Sequence, residues 1–152
     1  DNHLRHRPLG RMAICVHSQD SLFETVARVA AARIAGCTVI LSVPTELNNP
    51  VTDFIIGREG RLLTQQAQVA RQNDAEVASM MAEVDRARYA APERVPSIVY
   101  QAAAEAGIHI ARAPVLMDGR LELLHYYLNQ TISHAYHRAG NQGERGLGRL
   151  EL

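Results

Sequence analysis

The sequence of 152 residues predicts a three-layer α/β domain, with a mainly parallel sheet of about five strands and a C-terminal arm. Two short segments, residues 11–17 and 37–43, are almost entirely apolar, which is typical of strands buried on both faces. A single helical pattern, residues 21–35, separates them. A strand, a helix and a second strand at this spacing form a parallel βαβ unit, so we expect a Rossmann-like domain.

The first helix carries its own start and stop signals. Ser21 stands three residues before Glu24, which is the spacing of a capping box, and Gly36 follows the last helical residue. Cys37 begins the second strand directly after that glycine. The boundaries of this βαβ unit are therefore predicted by residue type as well as by hydrophobic pattern.

The rest of the chain repeats the alternation less regularly. Residues 50–56 and 61–83 favour helix, the second segment with an interruption near residues 71–74. The later elements are predicted from apolar periodicity and from glycine and proline boundaries: a strand at 86–90, a helix at 92–106 that Gly107 ends, a strand at 108–116, a helix at 119–130 and a fifth strand at 131–138.

This pattern divides the chain into three parts. Residues 1–10 are a polar lead-in, residues 11–138 are the Rossmann-like domain, and residues 139–152 are a Gly-rich C-terminal arm. The chain begins with Asp1 instead of a methionine, which suggests an excerpt of a longer polypeptide or a processed product.

The composition excludes several functional classes. Sixteen basic and sixteen acidic residues give a formal net charge of zero, so nothing predicts a nucleic acid or an acidic membrane surface as a partner. All sixteen basic residues are arginine, and without lysine the chain can form no Schiff base and no Walker-type lysine contact with phosphate. No apolar stretch reaches the length of about 18 residues that a membrane span needs, and no signal peptide is visible. We therefore expect a soluble, cytoplasmic protein.

A nucleotide site would be sought in the turn after the first strand, because ligands of open parallel sheets bind outside the carboxyl ends of the strands. Residues 17–21 (HSQDS) form that turn and contain no glycine. A dinucleotide fingerprint needs glycines for the tight turn and for close approach of the backbone to pyrophosphate. We therefore predict no cofactor-binding residue in this chain.

The candidate nucleophiles are few and poorly placed. Cys15 lies within an apolar strand, where burial disfavours the thiolate, and Cys37 follows a glycine at the start of the next strand, where packing is its expected role. Ser21 is required as the helix cap, and neither it nor Ser18 lies in a G-x-S-x-G motif. We predict no catalytic residue, and we interpret both cysteines as buried free thiols in a reducing cytoplasm.

Three histidines raise the question of a metal site. His134 and His137 are three residues apart, with His125 as a third candidate ligand. On a strand, side chains three residues apart point to opposite faces, and no cysteine or carboxylate completes a tetrahedral set. We predict no metal site.

The C-terminal elements have the character of a contact surface. Residues 121–128 (LELLHYYL) carry apolar side chains at spacings of three and four, which predicts a helix packed in the core or against an interface. In the strand that follows, one face combines Tyr136 and Arg138 with Ile132 and His134, and is neither apolar nor fully polar. This mixture favours docking against a second polypeptide surface, with Tyr136 and Arg138 as anchors.

The same C-terminal residues carry a family resemblance. Residues 119–141 (GRLELLHYYLNQTISHAYHRAGN) resemble the C-terminal signature of the bacterial proline utilisation A proteins. Residues 4–17 and 26–44 resemble the start of the aldehyde-dehydrogenase-like segment of those proteins, and residues 85–116 fit the region between. The resemblance covers roughly residues 4–145, with the C-terminal motif as its most specific part.

The resemblance implies a parent protein with two activities. Such proteins join an FAD-dependent proline dehydrogenase to an NAD-dependent 1-pyrroline-5-carboxylate dehydrogenase, and this chain would be only the C-terminal piece. Neither Cys15 nor Cys37 has the Gly-Gln-x-Cys type context of the family's catalytic cysteine, and residues 41–46 (LSVPTE) lack the lysine that holds the adenosine ribose. The resemblance therefore implies a domain that keeps the architecture without the chemistry, with no cofactor in this chain and FAD and NAD elsewhere in the parent.

The resemblance also implies partners and docking residues. The partners would be the remaining domains of the same polypeptide, in a homo-oligomeric parent, and peripheral membrane association stays open for the parent alone. The C-terminal region of the family helps to close the cavity through which the intermediate passes. His137 and Arg138 would then hydrogen-bond across an interface, and Gly140 and Asn141 would make the turn, beside Tyr136.

Two other functions remain open from the residues alone. The chain could be a stand-alone nucleotide-binding α/β domain with an atypical phosphate loop. It could also be an interaction module unrelated to proline metabolism. Stabilisation by a nucleotide in the absence of any other polypeptide would distinguish the first of these from a docking domain.

Overall fold

A computed structural model describes residues 2–133 of the chain. These residues form two compact units, one of residues 8–128 and a smaller one made by residues 2–7 with 129–133. The strands are β1 (Asn2–Pro8), β2 (Arg11–Cys15), β3 (Thr38–Pro44), β4 (Ala67–Gln72), β5 (Arg86–Arg88), β6 (His109–Ala111) and β7 (Tyr127–Ser133). The helices are α1 (Leu22–Ala35), α2 (Pro50–Ile56), α3 (Arg61–Thr64), α4 (Asp74–Met80), α5 (Ser97–Ala106) and α6 (Gly119–Leu123). Single turns of 3₁₀ helix lie at Met81–Glu83, Pro92–Arg94 and Leu124–Tyr126.

The main sheet has five parallel strands in the order β4-β3-β2-β5-β6. Its central strand, β2, pairs with β3 in register from Arg11 opposite Thr38 to Cys15 opposite Ser42. A separate sheet of two strands is formed by β1 and β7, where His6 Nδ1 lies 2.7 Å from Asn129 Oδ1. The predicted α/β class and the five-stranded parallel sheet are confirmed.

The core lies on both faces of the main sheet, because successive side chains of a strand point to opposite sides. One face packs against α1 and α2, with a core that includes Met12, Ile14, Val29, Leu41, Ile55 and Tyr126. The other face packs against α4 and α5, with a core that includes Ala13, Cys15, Ile40, Val77, Met81 and Val99. Burial on both sides explains why β2 and β3 are apolar along nearly their whole length.

The predicted boundaries of α1 are confirmed. The backbone N–H of Glu24 donates to Ser21 Oγ at 3.1 Å, and the backbone N–H of Ser21 donates to Glu24 Oε2 at 2.7 Å, which completes the capping box. At the other end, Gly36 has a φ of 87°, the left-handed conformation that glycine adopts without strain. The next residue, Cys37, donates its backbone N–H to the carbonyl of Ala32 at 3.0 Å.

The sequence prediction was wrong for residues 67–72, which were expected to be helical. They form β4, the edge strand that pairs with β3 from Ala67 opposite Val39 to Gln72 opposite Pro44. Alanine, glutamine and arginine have good intrinsic helix propensity, and an edge strand that is only half buried does not show an apolar run. Pairing with the exposed edge of β3 overrides that propensity, and Asn73 then caps α4.

The C-terminal prediction was also wrong in its details. The helix expected at residues 119–130 ends at Leu123, a 3₁₀ turn follows, and β7 begins at Tyr127. Residues 131–133 do form a strand, but in the two-stranded sheet, so the fifth strand of the main sheet is β4 instead. Residues 134–138 lie outside the described part of the chain. The lead-in at residues 1–10 contains β1, which the sequence did not predict.

Candidate functional site

The order of the strands indicates where a ligand-binding crevice would lie. From β2 the chain builds the sheet in one direction through β3 and β4, and it then returns to the other side of β2 to add β5 and β6. In open parallel sheets, ligands bind where the order reverses, outside the carboxyl ends of the two central strands. Here those strands are β2 and β5, which end at Cys15 and Arg88.

A buried arginine fills the point where the order reverses. Arg28 of α1 is completely buried, and its Nη1 donates to the carbonyl oxygens of Cys15 at 2.7 Å and of Arg88 at 3.3 Å. Its Nη2 forms an ion pair with the carboxylate of Asp20, and its Nε donates to the carbonyl of Glu24 at 3.0 Å. The guanidinium therefore binds the backbone ends of both central strands and holds them together.

The turn that follows β2 supplies the counter-charge. The Asp20 side chain is completely buried, and its Oδ2 accepts the backbone N–H of His17 at 2.9 Å. Its Oδ1 accepts from Arg94 Nη1 at 2.7 Å, and the same Nη1 donates to Glu24 Oε1 at 3.0 Å. Two arginines and two carboxylates thus balance in charge, as a buried ionic group must. We call Asp20, Glu24, Arg28 and Arg94 the crevice cluster.

The ionisation of the crevice cluster follows from these contacts. Burial alone would raise the pKa of Glu24, but hydrogen bonds from Ser21 and Arg94 outweigh it and hold that pKa below its ordinary value. Burial would lower the pKa of Arg94, but its bonds to Asp20 and Glu24 outweigh that effect and raise the pKa. Both partners therefore stay charged at neutral pH.

A dinucleotide does not fit the residues at this crevice. The cavity that Cys15, Ser42 and Gln72 line at the carboxyl ends of β2, β3 and β4 has a volume of about 40 Å³, whereas ligand pockets span about 300–1,000 Å³. The N-terminus of α1, where pyrophosphate would bind, carries the Glu24 carboxylate, which repels an anion. The turn of residues 17–20 has no glycine to let the phosphate approach the backbone. No cofactor chemistry is therefore assigned to this crevice.

Burial disfavours the thiolate form of both cysteines. Burial raises the pKa of Cys15 to about 11, despite a hydrogen bond with Tyr89 that lowers it. Burial also raises the pKa of Cys37, and its Sγ lies 3.5 Å from the carbonyl oxygen of Tyr126. Both are free thiols, Cys15 buried as predicted and Cys37 half-buried.

A second buried ion pair anchors α6 to the sheet. The guanidinium of Arg88, completely buried, donates from Nε and Nη2 to the two carboxylate oxygens of Glu122, at 3.0 and 2.8 Å. The hydroxyl of Tyr126 donates to the same carboxylate at 2.7 Å. Burial alone would raise the pKa of Glu122, but these two donors outweigh it and lower the pKa. This pairing fixes the position of α6 relative to β5.

An open apolar groove runs between α1 and α6. Its volume is about 1,100 Å³, and its floor on the α1 side is formed by the small side chains of residues 27, 30 and 31. Large apolar side chains at its edges are exposed, including Ile34 at 74% and Met117 at 88%. Phe23 and Leu116 are each about half exposed in the same groove. These exposed side chains give the groove an apolar lining. We call this surface the α1–α6 groove.

The geometry of residues 2–133 also bears on metal ligation and on membrane spanning. No three side chains of histidine, cysteine, aspartate or glutamate come together there as metal ligands. His125 lies at the 3₁₀ turn after α6, where its carbonyl oxygen accepts from Arg86 at 2.7 Å. No helix in this range is long and apolar enough to span a bilayer.

The docking residues predicted from the sequence were Tyr136, His137, Arg138, Gly140 and Asn141. All five lie outside the described residues, as do His134 and the arm at 139–152, so their roles stay predictions. The crevice cluster and the α1–α6 groove were missed by sequence reasoning. One signal could have found the cluster: Arg28 is spaced three residues from Thr25 and four from Ala32 on the buried face of α1, so it needed a buried partner.

Comparisons with known proteins identify the fold. No family model and no curated protein sequence matches the chain. Among solved structures, the chain is similar to a Staphylococcus aureus AldH in its substrate-bound state, with 24% identity and a TM-score of 0.54, over 72% of this chain and 24% of that one. It is also similar to an aldehyde dehydrogenase from Brucella melitensis biovar abortus 2308, with 21% identity and a TM-score of 0.53, over 72% of this chain and 23% of that one.

These structural similarities concern the fold of the chain. Identities below 25% establish a shared fold, and the chain spans about a quarter of the length of the proteins that it matches. The described chain therefore has the fold of one part of an aldehyde dehydrogenase.

Proposed function

We propose that this chain is the C-terminal, non-catalytic domain of a bifunctional proline-catabolic oxidoreductase. In that parent protein, an FAD-dependent proline dehydrogenase and an NAD-dependent 1-pyrroline-5-carboxylate dehydrogenase would occupy the other domains and would hold both cofactors. This domain would serve assembly of the homo-oligomeric parent and closure of the cavity through which the intermediate passes. The aldehyde-dehydrogenase fold and the resemblance of residues 119–141 support the proposal.

The observation that carries the proposal is the place of Arg28. In a dinucleotide-binding domain, the carboxyl ends of the two central strands are open to the ligand. Here Arg28 bridges Cys15 and Arg88 at that point, and Asp20 neutralises it. A crevice closed by the protein's own ionic groups supports a structural role for the domain.

The α1–α6 groove supports docking. The small side chains of its floor allow another chain to approach closely, and exposed Ile34 and Met117 provide apolar contact. Since the chain spans about a quarter of the proteins that share its fold, the remaining domains of the same polypeptide are the partner that we propose for this surface.

The first experiment uses the full-length parent protein. Truncation after Gln130 removes residues 131–152, which hold the predicted docking motif. We expect coupled conversion of proline to glutamate to fall, whereas each half-reaction assayed alone loses much less. Unchanged coupling in the truncated protein would contradict the proposal.

A matched pair of variants tests the groove separately. Ala30→Glu places a charge on the floor of the α1–α6 groove, and Ala75→Glu places the same charge on an exposed position of α4. We expect Ala30→Glu to reduce coupled flux and Ala75→Glu to leave it unchanged, with both proteins giving the circular dichroism spectrum of the parent. If the two variants have equal coupled flux, the α1–α6 groove is not a docking surface.

A further inference from the structure

A small polar cavity remains beside the crevice cluster. It has a volume of about 40 Å³ and lies at the carboxyl ends of β2, β3 and β4. Cys15 and Ser42 line it from the strands β2 and β3, each only 2% exposed. Gln72 of β4 and Tyr89 line it as well, and Arg94 contributes from the 3₁₀ turn.

Two of the residues that line this cavity, Gln72 and Arg94, each carry a buried polar atom without a partner in the described part of the chain, and Gln72 also lines a second cavity beside Gln68 and Glu76. Within residues 2–133, neither Gln72 Oε1 nor Arg94 Nε has a hydrogen-bond partner, although each atom is shielded from solvent. Buried polar groups in native proteins are almost always hydrogen-bonded, to protein or to ordered water. One of these atoms is an acceptor and the other is a donor, and a molecule that satisfies both must itself donate and accept.

The size and charge of the cavity select the ligand. One water needs about 10–15 Å³ of such space, so a cavity of about 40 Å³ has room for water but for no organic ligand or phosphate. The charge of Arg94 is already balanced by Asp20 and Glu24, and the carboxylate of Asp74 also lines the cavity. A small anion is therefore disfavoured, and a neutral ligand fits.

We propose that this cavity binds at least one structural water, which donates a hydrogen bond to Gln72 Oε1 and accepts one from the Nε–H group of Arg94. The water links the edge strand β4 to the crevice cluster, because Arg94 is also the partner of Asp20 and Glu24. Gln72 is thereby connected to the crevice cluster through the water and not by direct contact.

A crystal structure of the 152-residue chain, at a resolution that shows ordered solvent, tests the water directly. We expect a solvent peak within about 2.7–3.2 Å of both Gln72 Oε1 and Arg94 Nε. A cavity free of density, or a solvent peak that contacts neither atom, would overturn the proposal.

Thermal melting of two variants gives an independent test. Gln72→Met removes the acceptor at nearly constant shape, and Gln68→Met makes the same change at an exposed position of the same strand. If the water is bound, Gln72→Met loses one of its bonds, and we expect the Tm to fall by about 2–4 °C while Gln68→Met leaves it unchanged. If the cavity is dry, Gln72→Met replaces an unpaired buried acceptor with an apolar group, and the Tm rises.

Discussion

The guanidinium of Arg28 lies 2.7 Å from the carbonyl oxygen of Cys15, at the carboxyl end of the strand where a nucleotide would be bound in a dehydrogenase. The same Nη1 also reaches the carbonyl oxygen of Arg88 on the neighbouring strand. The hydrogen bonds of Arg28 thus lie at the place where a phosphate-binding turn would contact its ligand. The Arg28 guanidinium therefore joins the carboxyl ends of these two neighbouring strands.

The first prediction concerns the buried ion pair of Arg28. Replacing Arg28 by methionine leaves the fully buried carboxylate of Asp20 with fewer partners and removes the donor to two strand ends. Breaking a buried pair on one side costs about 3–5 kcal/mol. We expect the free energy of unfolding in urea to fall by that amount, with Arg58→Met, an exposed position, within about 0.5 kcal/mol of the parent chain.

A double variant separates the charge from the packing. In Arg28→Met combined with Asp20→Asn, the buried charge left by the first change is removed. We expect the double variant to be more stable than Arg28→Met alone, because the two residues are in direct contact and their effects are not additive. If the loss of unfolding free energy in the double variant equals the sum of the losses in Arg28→Met and in Asp20→Asn, the ion pair does not couple the two residues.

Acid sensitivity follows from the two lowered carboxyl pKa values. Glu24 and Glu122 each have a folded-state pKa below the ordinary value, so the unfolded chain binds more protons than the folded chain at acid pH. Their contribution to stability is complete above the ordinary glutamate pKa of about 4.3 and is lost as the pH falls through the folded-state pKa. Urea unfolding between pH 7 and pH 3 should show this loss.

The variant Glu122→Gln assigns part of that acid response. It removes the proton-binding group that Arg88 and Tyr126 stabilise, so we expect a lower stability at pH 7 and a flatter decline towards pH 3. Glu59→Gln, at an exposed position, serves as the control. If the stability of Glu122→Gln falls as steeply towards pH 3 as that of the parent chain, the Glu122 carboxylate does not cause the acid sensitivity.

The thiols should differ in reactivity. Cys15 is 2% exposed with a pKa of about 11, whereas Cys37 is only half-buried, although burial raises its pKa as well. We expect iodoacetamide at pH 8 to label Cys37 slowly and Cys15 only after unfolding, as measured by mass spectrometry of tryptic peptides. Labelling of both cysteines at one rate in the folded chain would contradict the burial of Cys15.

The sequence was most informative where local signals agreed with the tertiary structure. The capping box of Ser21 and Glu24, the left-handed Gly36 and the apolar strands β2 and β3 were all predictable, because each depends on neighbours in the chain or on burial of a whole segment. Strand β4 was not predictable in this way. Its residues favour helix, and only pairing with β3 makes them a strand.

The candidate site was harder to predict for a related reason. Residues 17–21 contain no glycine, so the sequence predicts that the usual dinucleotide turn is missing, and this stays a prediction. What fills its place depends on contacts between distant residues, such as Arg94 with Asp20, which are 74 positions apart. The α1–α6 groove likewise joins residues about 90 positions apart in the chain, and no local pattern brings α1 and α6 together.

The most direct measurement is a thermal melt of the 152-residue chain with and without millimolar NAD. A ligand present at about a hundred times its dissociation constant adds about 2.7 kcal/mol to stability, which raises the Tm of a domain of this size by several degrees. With Arg28 closing the crevice, we predict an unchanged Tm. A rise of several degrees would contradict the account and would favour a nucleotide-binding domain with an atypical phosphate loop.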